Sequence, residues 1–583
     1  MFGPSRTRFL LVVLGVGALD PAPASSDPPT TLTVGACQSC WPLTSTHPGS
    51  ILIPDGAGGV FITWTDAGPH VRLQRVNPDL TLPAGWPAGG LLIGADLAAR
   101  QIWPSLASDG AGGLYVAWVE QDPVLDTQVR LLRVRSDGSP ETGWPASGVV
   151  LSRPNQYVEY PVVTARGNRG AAVAWIGSGP SGREVRLQMV DSRGRIAPAW
   201  PSGGSLLGSG DWYNNIVGLI SDQRGGVHLL WTENREIRSD VRISIVSERG
   251  QVKLPGRRLA TDAVPVDATM EQSHPEIAPD GSGGAFVVWT DVTHGELNRA
   301  IDLTDVFAQH VSATGEIASG WTRWAASGRP IAAGSWYQLN PRVTADGSGG
   351  AFVAWSEQGP GILEVGRVVR LDGTGEVAPG WPTEGLALGN VAPTLVADGS
   401  GSAFLMWNDG TEAYVQRLGG DSRPTAGWTA PMAIGSARGK GNPLLALDGK
   451  QGAFVAWEEH SGQRRAVVLR HLSGAGAEVA TPGPASGPAP LAFTVHAAAP
   501  NPARTRCRIR FDLPARASID IELFDIAGRR VDFLARHRMF EAGARFVEWD
   551  LNDRQGRPAP AGLYFARVTT GVDQAVVRIT VVR

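Results

Sequence analysis

Cysteine and lysine are almost missing from this 583-residue chain, and no later stretch continues the apolar run near its N-terminus. Three cysteines, Cys37, Cys40 and Cys507, are too few for a disulfide-stapled scaffold. The Cys37/Cys40 pair has no second pair to complete a four-ligand zinc site, so a local disulfide in an oxidising compartment is expected. Cys507 is expected in a strand as a small hydrophobe. Lysine occurs only at 253, 440 and 450, and the net charge of -3 offers no basic footprint for nucleic acid. After the N-terminal segment no run approaches the ~18 apolar residues of a membrane helix. Enzyme signatures are absent too: no G-x-S-x-G, H-E-x-x-H, P-loop or Rossmann turn occurs, and the ten histidines lack metal-ligand spacing. No cofactor and no metal is expected.

Glycine (74) and proline (43) are abundant, yet 42% of the residues are apolar, which suits many short strands joined by tight turns. Eight times a glycine turn leads into a short apolar strand closing on tryptophan, at Trp64, Trp118, Trp175, Trp231, Trp289, Trp355, Trp407 and Trp457. The intervals run from 50 to 66 residues, with no helical periodicity inside them. That pattern predicts an all-β chain whose first part is an eight-bladed β-propeller, or a seven-bladed one should the Trp175 unit stand apart.

Each unit supplies four strands. Pro275 or Pro393 opens a short first strand, and Asp280-Gly-Ser-Gly-Gly284 gives the tight turn. Ala351 to Trp355 is apolar throughout, as a strand covered on both faces should be. Val71 to Val76 alternates, and a fourth strand follows Gly-Trp-Pro elements such as Gly85-Trp-Pro87 and Gly380-Trp-Pro382. The last unit lacks that element, so the β-prone segment Thr30 to Val34 is expected to supply its outer strand and close the ring.

Strand parity then separates two faces. One carries only short, uniform turns; the other receives every long connection and is where ligand-binding residues are expected. The second face collects a carboxylate two residues past seven of the tryptophans: Asp66, Glu120, Glu233, Asp291, Glu357, Asp409 and Glu459, with Gly177 replacing it in the Trp175 unit. It also collects aromatics just before the innermost strands: Trp103, Tyr160, Trp212, Tyr213, Trp336 and Tyr337. Aromatic rings beside acids make a glycan surface, the rings stacking on sugar C–H faces while the acids accept hydroxyls. The same residues also admit a structural reading. The acids then cap N–H groups or pair with arginines such as Arg72 and Arg130, and the rings pack between blades.

The organisation predicted is a signal peptide over 1–24 (Arg6 and Arg8, then Phe9 to Leu19), a propeller over 25–474, a Gly/Ala/Pro linker over 475–490 and a small β-sandwich over 491–583. The last segment carries Asn501-Pro502, Phe511-Asp-Leu-Pro514, Phe524-Asp-Ile-Ala-Gly-Arg529 and Gly562-Leu-Tyr-Phe-Ala-Arg-Val568. In these marks it resembles the C-terminal sorting domains of the bacterial type IX secretion system and the related Ig-like domain of flagellar hook-capping proteins. Cys507 departs from the threonine common at that point. The resemblance implies an Ig-like transport address read by secretion machinery. The expected function is a secreted or cell-surface binding or adhesion module for an extracellular glycan or protein. The alternatives are a polysaccharide hydrolase or lyase and a purely structural surface protein.

Overall fold

The computed structural model describes residues 32–37, 51–477 and 493–582 apart from short internal stretches, the longest being 259–271 and 294–302. Two compact units divide the chain, Met1–Thr481 and Pro482–Arg583. The division falls within the predicted linker.

Among the described residues the first unit shows eight four-stranded antiparallel sheets. In the first sheet the strands are Leu52–Pro54, Val60–Thr65, Val71–Val76 and Leu91–Leu92, hydrogen-bonded in chain order. The next six repeat that order, and the Trp175 unit forms a full sheet of its own, Val158–Ala165 to Ser205–Gly210. The eighth differs. Its chain supplies Leu444–Leu447, Ala453–Ser461 and Arg464–Leu472, and the outer strand is Leu32–Cys37, antiparallel with Leu32 opposite Leu469 and Cys37 opposite Arg465. The first strand of each sheet lies against the first strand of the next, and Leu444–Leu447 lies against Leu52–Pro54. The sheets are therefore arranged radially, as in a β-propeller.

Burial explains the apolar second strands. Every residue of Val60–Thr65 is buried, and Trp118, Trp175, Trp289 and Trp355 are 0% exposed. Each sheet is too thin to bury both faces alone, so these rings fill the space between neighbours. The fourth-strand turn must then pass close to a ring. A Cβ on Gly385 (φ 78°) would fall 2.6 Å from the Trp355 ring, so only glycine fits there.

The Gly-Trp elements join neighbouring sheets. The indole N–H groups of Trp86, Trp144, Trp381 and Trp428 donate to the carbonyls of Ser136, Ser192, Gly420 and Gly474 in the next sheet's outer turn, at 3.0, 3.2, 2.8 and 3.2 Å.

In the second unit a three-stranded sheet (Thr494–Val495, Cys507–Leu513, Gly543–Trp549) and a four-stranded sheet (Arg530–Phe540, Ala517–Asp525, Gly562–Thr569, Gln574–Val581) enclose one core. Cys507 is buried in that core as a free thiol, and burial pushes its pKa up to about 11. The side chain of Cys37, all of Cys40 and the expected signal peptide lie outside the described residues.

Candidate functional site

The acids that follow the tryptophans are held inside their sheets. Arg72, Arg130, Arg242 and Arg367 each sit directly across the strand pair from Trp64, Trp118, Trp231 and Trp355. From there the guanidiniums reach Asp66 at 2.8 Å, Glu120 at 2.8 Å and Glu233 at 2.7 Å, and Arg367 bonds Glu357. Asp66 also accepts the N–H groups of Gly68 and His70. Burial opposes its charged form, but Arg72 and those N–H groups outweigh it and keep the carboxyl below its usual range. Asp291 is buried and accepts the Gln272 amide at 3.2 Å, and Asp409 accepts the Tyr414 hydroxyl at 3.0 Å. Glu459 lies in the strand Ala453–Ser461, and its side chain is outside the described residues. Where their partners are described, these carboxylates are engaged with their own sheets rather than presented to a ligand.

The turn aspartates are similarly occupied. Asp346 Oδ1 accepts the Ser348 and Gly350 N–H groups at 2.7 and 2.9 Å, while Oδ2 meets Arg370 at 2.7 Å. Arg370 also lies over the Phe352 ring. In the fifth and eighth sheets histidine takes the arginine's place: His310 bonds Asp280 and His471 bonds Asp448, each at 2.9 Å and each stacked on phenylalanine at 4.1 Å.

The aromatic set divides. Trp103 and Tyr160 lie within the innermost strands Arg100–Ser108 and Val158–Ala165, not before them as the sequence suggested. Both are half-buried, and their rings meet between adjacent sheets with centroids 4.6 Å apart and planes tilted by 38°. Trp336 covers Gly359, where an added Cβ would sit 1.5 Å from the ring, and Tyr337 beside it is half-buried. Trp212 and Tyr213 lie outside the described residues.

What distinguishes Trp103 and Tyr160 is their backbone. Each interrupts strand pairing as the first residue of a bulge, each precedes proline, and their φ angles are 53° and 49°. His274 before Pro275 (φ 49°) and Asn340 before Pro341 (φ 53°) repeat the arrangement in the fifth and sixth sheets. A bulky side chain such as that of Trp103 or Tyr160 is strained at positive φ, whereas His and Asn adopt it more readily, and a following proline disfavours helical conformations further. Such strain persists only when the surroundings impose it, and it concentrates at functional sites. In three of the four bulges, but not at Tyr160, the anchor is a glutamine two residues earlier. Gln101 and Gln272 accept the N–H of Val71 and Val241 in the preceding sheet, each at 3.0 Å, and Gln338 is 2% exposed. The Gln-x-x-Pro signature, Gln101 to Pro104, Gln272 to Pro275 and Gln338 to Pro341, was the sequence signal for this site.

Beside the Trp103–Tyr160 pair stands a polar group. Tyr157, 48% exposed, donates to Glu159 at 2.8 Å, and Arg183 bonds the other Glu159 oxygen. Desolvation, then the Glu159 hydrogen bond, pushes Tyr157 up to about 12. At neutral pH its hydroxyl stays protonated. The arrangement offers a half-exposed, angled pair of aromatic rings with a hydroxyl, a carboxylate and a guanidinium close by in sequence.

No family model matches the chain, and no curated protein matches it. Among solved structures, an ulvan lyase of polysaccharide lyase family PL25, bound to -[GlcA(1-4)Rha3S]-, is 11% identical with a TM-score of 0.42, over 78% of this chain and 97% of that one. The polysaccharide lyase Uly1 is 8% identical with a TM-score of 0.39, over 62% and 88%. The propeller domain of the Trilobed protease from Pyrococcus furiosus is 12% identical with a TM-score of 0.36, over 65% and 97%. The chain's own sheets, each first strand lying against the next, form the propeller ring.

Proposed function

We propose that the first unit is a closed eight-bladed propeller, with Leu32–Cys37 as the outer strand of the last blade, and that it binds a glycan without catalysis. The supporting observation is the tilted Trp103–Tyr160 ring pair, placed by two pre-proline bulges at positive φ at the inner edge of adjacent sheets. A sugar ring lies on one of these rings through its C–H face, while the exposed Tyr157 hydroxyl meets its hydroxyls. The hydrolase or lyase reading is weaker, because Asp66, Glu120, Glu233 and Glu357 are neutralised by arginine rather than poised as acid and base. The second unit is read as the Ig-like sorting domain that exports the propeller to the cell surface or medium. A glycan array combined with a polysaccharide-degradation screen on the mature chain tests the reading. Retention without cleavage, lost in Trp103→Ala, is the expected result; cleavage products would favour the enzyme, and no retention on any glycan would refute the proposal.

A further inference from the structure

The large apolar side chain most exposed to solvent among the described residues is Ile526, at 77%. It stands at the tip of the turn Asp525 to Arg529 in the second unit. Asp525 Oδ1 accepts the N–H groups of Ala527 and Arg529 at 2.9 and 3.0 Å, and Oδ2 holds the Arg529 guanidinium at 2.8 Å. The turns Asp191 to Arg195 and Asp553 to Arg557 are built by the same three contacts. There the residue after the aspartate is Ser192 or Arg554, so the turn itself does not require an apolar side chain.

The sheet face that leads to this tip is apolar as well. Ile519, Ile521 and Leu523 enter the core, so Glu522 and Phe524 of the same strand face outward. Across the four strands one outward row reads Arg530, Phe524, Phe565, Arg578, and the next reads Phe533, Glu522, Arg567, Val576. The outer face of an antiparallel sheet is ordinarily polar. Here three phenylalanines and a valine occupy it, with guanidiniums laid over two of the rings: Arg567 is 4.8 Å from the Phe524 centroid, and Arg530 is 4.4 Å from that of Phe533. Both arginines share the single carboxylate of Glu522, and Arg578 is exposed at the other side of the face. The second unit as a whole holds fifteen arginines, no lysine and ten acids, a net charge of +5, whereas the rest of the chain carries -8.

We infer that this face of the second unit docks on the surface of an anionic lipid bilayer, with Ile526 inserted among the headgroups. The inference is independent of the glycan reading above. An apolar side chain on a projecting turn fits the boundary between headgroups and acyl chains, and it is rigidly presented by the Asp525 contacts. Arginine suits the same depth, because its stem covers apolar surface while its head stays in the polar layer at the lipid phosphates. Arg567 and Arg530 already lie in that manner over Phe524 and Phe533. The charge complements an anionic leaflet, each arginine near the surface adding to the attraction. An acidic protein would meet the same charge, but it would have to enclose a side chain that projects from a turn. A bilayer does so without a matching pocket.

The test is flotation of the full mature chain with vesicles of phosphatidylcholine mixed with phosphatidylglycerol, and with vesicles of phosphatidylcholine alone, each in low and high salt. The wild type should float with the anionic vesicles in low salt, stay behind with the neutral ones, and be released by salt. Ile526→Ser copies the residue of the Asp191 turn, so Tm should hold while affinity falls at least about tenfold, the loss expected when one apolar side chain no longer leaves water. Arg578→Gln should lose about fivefold. Trp103→Ala, altered in the first unit, should float as the wild type does. No flotation of the wild type, or equal flotation with neutral vesicles, overturns the inference. Undiminished binding by Ile526→Ser shows attraction by charge without insertion and overturns it too, as does a fall in its Tm, which would make the side chain structural. Retention on immobilised polyglutamate in place of vesicles would assign the face to an acidic protein instead.

Discussion

Glu184 faces Gly177 directly across the second and third strands of the third sheet, and from there it holds Arg186 at 2.6 Å. Gly177 is the one position where the acid after the repeat tryptophan is missing. The acid has moved to the opposite strand, and Arg186, across from Trp175, keeps the role of Arg130 or Arg242. The pair is therefore a property of the sheet rather than of one residue. Both side chains are nearly inaccessible, 6% and 5% exposed.

Removing Glu184 should accordingly be severe. Glu184→Ala leaves Arg186 with only the Gly203 and Gly204 carbonyls as partners. The loss should be about 3–5 kcal/mol, the usual result of stranding a buried charge. Urea unfolding checks it, and a loss below about 1 kcal/mol would mean that the guanidinium relaxes to water.

Asp346 makes a graded prediction. Asp346→Asn keeps an acceptor for the Ser348 and Gly350 N–H groups but drops the charge facing Arg370, whereas Asp346→Ala drops both. Alanine should cost about 3 kcal/mol and asparagine less, with unchanged Tm on adding calcium or a chelator. A calcium-dependent Tm would show that these turns hold metal instead.

The sequence made the tryptophan repeat and its glycine turns legible, because residues buried on both faces and residues at positive φ are restricted in type. The missing strand of the last sheet was legible for the same reason: an unmatched outer edge calls for an apolar β-prone segment, found at Leu32–Cys37. The arginine partners were visible as one of two readings, since an acid and an arginine across a strand pair look alike whether they face a ligand or each other. Trp103 and Tyr160 are legible as aromatics, but their strain is not. A bulky residue before proline is expected to be extended, so nothing local announces φ near 50°. His274 and Asn340 share a feature that is conformational rather than chemical, so residue type alone does not reveal it.

His228 should make the fold acid-sensitive. It occupies the place of Phe61, Phe286 and Phe352 in the other sheets, is 0% exposed, and its ring nitrogens find no partner among the described residues. Burial lowers its pKa, although Asp222 and Asp280 favour the proton. A folded pKa below the unfolded value means the unfolded chain binds the proton more readily, so stability falls as pH drops through about 6.5. His228→Phe should remove this loss: its Tm advantage over wild type, measured at about pH 8 and about pH 5, should widen in acid. A pH-independent difference would contradict a buried neutral imidazole.

The most direct measurement is a crystal structure of the mature chain with an oligosaccharide selected on the glycan array. The account predicts one sugar ring stacked on Trp103 or Tyr160 at the mouth of the bore, with Tyr157 on its hydroxyls. A saccharide bound on the face of the Asp346-type turns, or on the second unit, with the Trp103–Tyr160 platform bare, would contradict it.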